Sequence, residues 1–429
     1  MRRLRVPLLL ASIVLCGPSP ASAGEAPPLF LAGGRILDAA GGGSLESRDL
    51  LLAGGRIARI LAPGESPPGG AREVDLAGLT LLPGLLDLHS HLLLHPYDEA
   101  SWDDQVLREQ LELRVIRGVV AARATLEAGF TTLRDLGTEG AGFADVALRD
   151  AVEQGLVPGP RIFAATRAIV ASGAYGPAGF DPRFSLPKGA QVADGVDGVR
   201  RAVREQIAAG ADWIKVYADY RRRRGGPTTP TFSPAELQAI VDEARTAGLP
   251  VAAHAATDEA IRRAVEAGVD TIEHGYLASA EVLALMRERG VVLCPTLAAS
   301  EAISRYQGWD PAAGGPEPPR VRAARELVAR ALAAGVTIAL GSDVGVFAHG
   351  ENARELELLV DYGMAPAAAL RAATSIAAGV LGRGDELGRI AEGYVADLVA
   401  VRGDPLADVS VLREPVVVFQ GGRVVVDRR

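Results

Sequence analysis

Cysteine is nearly missing from this chain: its 429 residues hold two, Cys16 and Cys294. Cys16 falls in a leader segment described below, so the processed chain keeps one thiol and no internal disulfide is possible. Cys294, inside Val291-Val292-Leu293-Cys294-Pro295, reads as an inert buried thiol. Lysine is as scarce. Of 45 basic side chains only Lys188 and Lys215 are lysines, so arginine serves wherever a generic cation suffices. A lysine surviving in that background marks a place where an amine is needed. Lys188 sits in a Pro/Gly loop, but Lys215 falls in the middle of a predicted strand. There is no excess of positive charge, since the net formal charge is −8, and nucleic acid is not an expected partner. No Gly-x-Gly-x-x-Gly follows a strand, which argues against a doubly wound nucleotide-binding sheet. Long apolar runs are lacking too. The run Val6–Cys16 is too short to span a bilayer.

That run belongs to a secretory leader, Met1 to Ala23. Arg2, Arg3 and Arg5 precede it, and Ala21-Ser22-Ala23 supplies the cleavage site. Leu15 before Cys16 argues against a lipid anchor. The expected product is exported to the periplasm or the extracellular space, free of the membrane. Loss of three arginines takes the charge from −8 to −11.

Two strand-rich ends flank a repetitive middle. Leu29–Leu37, Asp49–Leu52 and Arg56–Leu61 read as strands near the start, and Asp397–Val401, Val416–Gln420 and Arg423–Val426 near the end. Together they predict one small β-sandwich-like domain built from residues 24–80 and 389–429. In between, helical segments repeatedly end in glycine and hand over to a short apolar strand, as at Gly129, Gly210, Gly248, Gly268, Gly290 and Gly335. Ser233-Pro234-Ala235-Glu236 is a helix start with a capping box. Eight strands result: Leu82–His89, Phe130–Arg134, Arg161–Ala165, Trp213–Tyr217, Pro250–His254, Thr271–His274, Val291–Pro295 and Thr337–Ser342. Strands alternating with helices in this number predict an α/β fold, a (β/α)8 TIM barrel over residues 81–388.

Chemistry-bearing residues gather at the C-terminal ends of those strands, where barrel active sites assemble. His89 and His91, one residue apart, share a strand face. The fourth strand carries Lys215, the fifth ends at His254, the sixth at His274, and Asp343 follows the eighth. Imidazole and carboxylate donors converging there suit a divalent ion such as zinc. A free ammonium is a poor ligand, but a lysine that has reacted with carbon dioxide becomes an anionic carbamate able to bridge two cations, which arginine cannot do.

This set resembles the metal-dependent amidohydrolase superfamily, and the likeness extends over essentially the whole processed chain. Gly210-Ala211-Asp212-Trp213-Ile214-Lys215, Ile272-Glu273-His274-Gly275, Gly341-Ser342-Asp343-Val344-Gly345 and Ala348-His349-Gly350-Glu351-Asn352-Ala353-Arg354-Glu355-Leu356 are similar to its prolidase-like and Xaa-Arg dipeptidase branch. That branch includes secreted amidases acting on substrates such as ochratoxin A. The resemblance implies two divalent metal ions, of the zinc type. His89, His91 and Asp343 would hold one, His254 and His274 the other, and a carbamate on Lys215 would bridge them. Asp343 would shuttle a proton from the attacking water to the leaving amine. The implied substrate is a small molecule or short peptide with an amide next to a C-terminal amino acid, for a dipeptidase, carboxypeptidase or N-acyl amino acid hydrolase. The alternatives are a lactonase, phosphotriesterase or cyclic-amide hydrolase on the same metals, and a non-catalytic binding barrel. A homo-oligomer is the expected assembly. Where many dipeptidases of the branch carry Gly-Gly-His-Gly after the third strand, this chain has Ser172-Gly173-Ala174-Tyr175-Gly176. Tyr175 is thus a candidate to contact substrate near the scissile carbonyl, with Tyr217, His349, Asn352 and Arg354 as further substrate candidates. One of Arg221–Arg224 could pair with a substrate carboxylate, whereas His95 reads as a loop or pocket-wall residue.

Overall fold

The computed structural model describes residues 27–429 except 39, 41, 42, 67, 182 and 222–224. The predicted leader and most of the Arg221–Arg224 run lie outside the described residues. The middle of the chain is a parallel α/β assembly of the TIM-barrel type. Its regular strands are β1 (Leu85–Ser90), β2 (Phe130–Asp135), β3 (Arg161–Ala164), β4 (Ile214–Tyr217), β5 (Val251–Ala255), β6 (Thr271–His274) and β7 (Val292–Cys294). Every residue of β1, β2, β4 and β6 is buried, as expected of parallel strands covered on both faces. The strands form two sheets, one ordered β3-β2-β1 and one in which β4, β5, β6 and β7 follow one another. Asp212 and Trp213 donate backbone bonds to the Ala164 carbonyl between β3 and β4.

The predicted eighth strand is not a regular ladder. Residues 337–344 make isolated bridges, Leu293 to Ile338 and Ser90 to Val344. Even so, the segment runs between β7 and β1, because Leu293 N donates to Thr337 O (2.9 Å) and Asp343 N to His89 O (2.7 Å). The ladder breaks because Asp343 adopts a left-handed backbone, φ +62°.

Both termini contribute to a six-stranded sheet. Leu79–Pro83 pairs parallel with Arg35–Asp38 and antiparallel with Leu398–Arg402, which continues into Val417–Gln420 and Arg423–Asp427. A second sheet of four strands holds Leu29–Ala32, Asp49–Ala53, Arg56–Leu61 and Arg72–Asp75. Leu29, Leu31, Leu50 and Ile57 from the smaller sheet share one core with Leu81, Leu398 and Phe419 from the larger.

Two boundaries differ from expectation. Leu29–Leu37 is two strands in two sheets, divided at Gly33-Gly34, with Gly33 left-handed. The run Leu82–His89 is also split: Leu79–Pro83 belongs to the terminal sheet and β1 starts at Leu85. Gly84 makes that crossing possible, since a Cβ there would lie 2.2 Å from the Thr131 hydroxyl oxygen. All six glycines read as helix stops are left-handed, and the capping box at Ser233 and Glu236 forms with both bonds present.

Candidate metal centre

His89 and His91 leave the end of β1 beside the backbone of Asp343. Their Nε2 atoms stand 3.5 and 3.2 Å from one oxygen of Asp343, and the three residues form a compact group that could hold an ion. The β5 histidine, His254, and the β6 histidine, His274, face each other with ring centroids 4.5 Å apart. His274 lies 5.2 Å from His89 on the same measure. Lys215 projects from β4 and is 1 % exposed. Its ammonium has no hydrogen-bond partner among the described residues.

Outer contacts fix which ring nitrogen of His89, His91 and His274 faces inward. His89 Nδ1 meets Glu273 Oε2 at 2.7 Å, His91 Nδ1 meets the Gly137 carbonyl at 2.9 Å, and His274 Nδ1 meets the Thr296 hydroxyl at 2.7 Å. Such partners orient a metal-ligating imidazole and raise its basicity. Glu273 is itself held by Arg134 Nη2 at 2.9 Å and by the Thr271 hydroxyl. The Arg134 guanidinium stacks over Trp213 at 4.2 Å. Asp87 ties the floor together, accepting from the backbone of His89 and Ser342 and from Asn352 Nδ2.

Backbone strain gathers at the same place. Among the described residues five non-glycines are left-handed, and four of them, Glu139, His274, Thr296 and Asp343, touch this cluster. Strain of about 1–3 kcal/mol per residue persists where the surrounding structure enforces it, commonly at functional sites.

The electrostatics favour ligation. Burial, followed by the charge of Lys215, lowers His89 to about 4 and His254 to about 3, so both rings are neutral at pH 7. Burial and then His254 push His274 well down. Burial lowers Lys215 as well. His91 goes the other way: burial is outweighed by its hydrogen bond to Asp343 and by the charges of Glu139, Asp343 and Asp135, which raise it to about 9. A proton on His91 thus occupies the spot where a cation would lie between this ring and Asp343. Burial raises Asp343, but His89, His91 and Lys215 outweigh it and leave the carboxyl below its ordinary value. A buried amine without a partner among the described residues, the neutral imidazoles of His89, His254 and His274, and an ionised carboxylate are donors that divalent cations and a lysine carbamate require, and a cation bound there would displace the His91 proton.

Above this floor opens a cavity of about 500 Å³. Five of the chain's eight tyrosines line it: Tyr97, Tyr175, Tyr217, Tyr220 and Tyr276. Tyr175 stacks on Tyr217 at 4.5 Å, and Tyr217 stacks on His254 at 4.4 Å. The Tyr175 hydroxyl donates to Glu139, whose carboxylate also accepts from Trp102 Nε1 at 2.8 Å. A phenol has one proton, so Tyr175 offers the cavity its ring and lone pairs and is not placed to polarise a carbonyl.

Three expected substrate residues lie elsewhere. Asn352 is wholly buried and bonded to Asp87 beneath the floor. Arg354 is taken up by Glu301 and Glu357, two carboxylates that neutralise it away from the cavity. His349 contacts Thr125 and the Leu94 carbonyl and does not line the cavity. His95, read as a loop or wall residue, pairs with Glu99 and Glu109.

Comparison with known proteins gives the family. The amidohydrolase family model matches residues 80–425. The chain belongs to the amidohydrolase family. Ochratoxinase of Aspergillus niger is 32% identical over 387 residues, covering 80% of this chain and 75% of the relative. A solved Xaa-Pro dipeptidase with bound methionine in its active site superposes with a TM-score of 0.83 at 32% identity, over 92% of this chain and 99% of that one. A solved prolidase complexed with N-methylphosphonate-L-proline gives a TM-score of 0.81 at 34% identity, over 93% and 100%. This amidohydrolase therefore groups with the prolidase-like branch and is a hydrolase of amide or peptide C–N bonds. Its family is typically metal-dependent, in keeping with the His89, His91 and Asp343 group. No helix among the described residues is long and apolar enough to cross a membrane.

Sequence reading missed Glu273, Asp87 and Glu139. The first two had a usable signal, a carboxylate inside an otherwise apolar strand as in Leu86-Asp87-Leu88. Glu139 sits in a loop and had none. Glu273→Gln replaces one of the two oxygens shared by His89, Arg134 and Thr271 with an NH2 donor, so that His89 and Arg134 no longer both find an acceptor, and leaves Arg134 without its counter-charge. The expected result is a loss of about 10–100-fold in metal affinity, read by titration with a competing chelator. Wild-type affinity would mean that Glu273 does not orient the ligand.

Proposed function

We propose that this amidohydrolase is a binuclear metal hydrolase cleaving an amide beside a free C-terminal amino acid, as a dipeptidase, carboxypeptidase or N-acyl amino acid hydrolase, with ochratoxin-type substrates in range. The observation that carries the reading is the buried amine of Lys215, which has no hydrogen-bond partner among the described residues and whose charge acts on His89, His254, His274 and Asp343. In the proposal His89, His91 and Asp343 would hold one cation, His254 and His274 the other, and Lys215, as a carbamate, would supply anionic oxygen to the centre. When bound, two such cations ionise water near neutral pH and polarise an amide carbonyl. Zinc fits the nitrogen-rich donor set.

The protein's own part is positioning and proton transfer. Asp343, held below its ordinary pKa, accepts the proton of the attacking water and delivers it to the leaving amine. Tyr217 and Tyr175 form an apolar wall that keeps bulk water from the His254 side. We further propose that the two sheets of the middle segment close into an eight-unit barrel through residues 337–344, and that 24–80 with 389–429 forms one composite domain. Export through the leader and a homo-oligomeric assembly complete the proposal.

A panel of dipeptides, N-acyl amino acids, lactones and phosphotriesters tests the reaction. Turnover of the first two classes is expected, abolished by a chelator and restored by zinc. Turnover of lactones or phosphotriesters alone would defeat the amidase reading. Fewer than one metal per chain, in protein purified without chelator, would favour a non-catalytic barrel.

A further inference from the structure

The cavity's carboxylates are already engaged, Asp343 by His89 and His91 and one oxygen of Glu139, its Oε2, by Trp102 and Tyr175. Its cations are not. Arg221 and Arg320 both line the cavity together with the metal-centre residues, and both also line the adjoining cavity toward solvent. Neither has an ion pair with a carboxylate among the described residues, whereas Arg354 is neutralised twice over. Arg221 ends the hairpin strand Asp219–Arg221 that follows β4, with its guanidinium over Tyr220. Arg320 lies in the first turn of helix Pro319–Ala334, where the positive end of the helix adds to its charge. Leu277, Ile303 and Ala323, which are apolar and carry no charge, line the same cavity.

We propose that Arg320, with Arg221, holds the free carboxylate of the substrate's C-terminal residue at the cavity rim, and that Leu277, Ile303 and Ala323 receive an apolar side chain of that residue. This rests on the hydrolytic reading above and narrows it: the leaving amino acid is apolar or aromatic, not basic. A basic side chain placed against Leu277, Ile303 and Ala323 would meet only apolar atoms of those residues and would face two guanidinium groups. A guanidinium presents paired N–H donors that match a carboxylate, and such charge-assisted bonds are about twice as strong as neutral ones.

The test is equilibrium binding to the metal-loaded enzyme. Three ligands resist cleavage because a sulfonamide replaces the amide: N-methanesulfonyl-L-phenylalanine, its C-terminal carboxamide, and N-methanesulfonyl-L-arginine. Wild-type protein is expected to bind the phenylalanine acid at least about tenfold more tightly than either of the others. Arg320→Gln should bring the acid to within about twofold of the carboxamide while the carboxamide's own affinity stays within about twofold. Arg320→Lys should keep part of the preference, and melting temperatures verify that both variants fold. Equal binding of acid and carboxamide by the wild type, or an equal weakening of both in Arg320→Gln, would overturn the assignment. Tighter binding of the arginine ligand would overturn the apolar subsite. Because binding is read directly, a protein that prefers the acid yet cleaves no amide would sink the hydrolytic reading and leave the carboxylate site standing.

Discussion

Lys215→Arg is expected to lower kcat/KM by about three orders of magnitude or more, on the order of 4 kcal/mol of transition-state stabilisation. Arginine preserves charge and approximate length, so the loss isolates what an amine can do that a guanidinium cannot. The wild-type amine is 1 % exposed, lacks a hydrogen-bond partner and is depressed by burial. An amine in that state has its lone pair available more readily than an exposed lysine, which is what addition to carbon dioxide needs. Lys215→Ala should be equally inactive at first and then recover partly in millimolar formate, acetate or propionate, because a small carboxylate can enter the space and donate oxygen in place of the carbamate. Arginine fills that space, so Lys215→Arg should not be rescued. Near-wild-type turnover of Lys215→Arg would contradict the carbamate outright.

Asp343→Asn should lower kcat by about 10²–10⁴, the usual worth of a positioned acid–base group. Asparagine keeps the shape and can still face His89 and His91, but it accepts no proton and carries no charge. Two further results separate a proton shuttle from a ligand role. A nitroanilide substrate, whose leaving group departs without help from an acid, should lose far less than an alkyl amide. Metal content should fall by less than half, since the histidines remain. If both substrates lost activity equally and metal vanished, Asp343 would be acting as a ligand only. The backbone supports the functional reading, because this residue adopts its left-handed conformation where the ladder between β7 and β1 is interrupted.

What the sequence made legible was periodic. Helix stops at glycine, apolar strand runs and polar residues at strand ends are local signals, and of the six expected ligands His89, His91 and Asp343 form one compact group, with the His274 ring beside His89 and the His254 ring beside His274. Less legible was anything decided by a partner distant in sequence. Leu81 and Leu82 look like the start of β1, yet they pair with Val399 and Ala400, more than 300 residues later. Asn352 and Arg354 sit in a motif beside the catalytic end, but Asp87 claims one and Glu301 and Glu357 the other. Only the folded chain reveals that competition. Tyr175 illustrates the same point: its loop position was readable, whereas the commitment of its proton to Glu139 was not. Arg320 stood in no motif and became a candidate only once its neighbours in the cavity were known.

The proposed mechanism turns on a carbamate joining two cations, and carbon-13 NMR reads that directly. Enzyme reconstituted with zinc in ¹³C-bicarbonate, then freed of unbound label, should show one carbamate carbon per chain, with two metal ions by elemental analysis. The signal should be missing from Lys215→Arg. A fully active, two-metal wild-type enzyme without that resonance would show that Lys215 does not bridge the ions, and the mechanism proposed for this centre would be wrong.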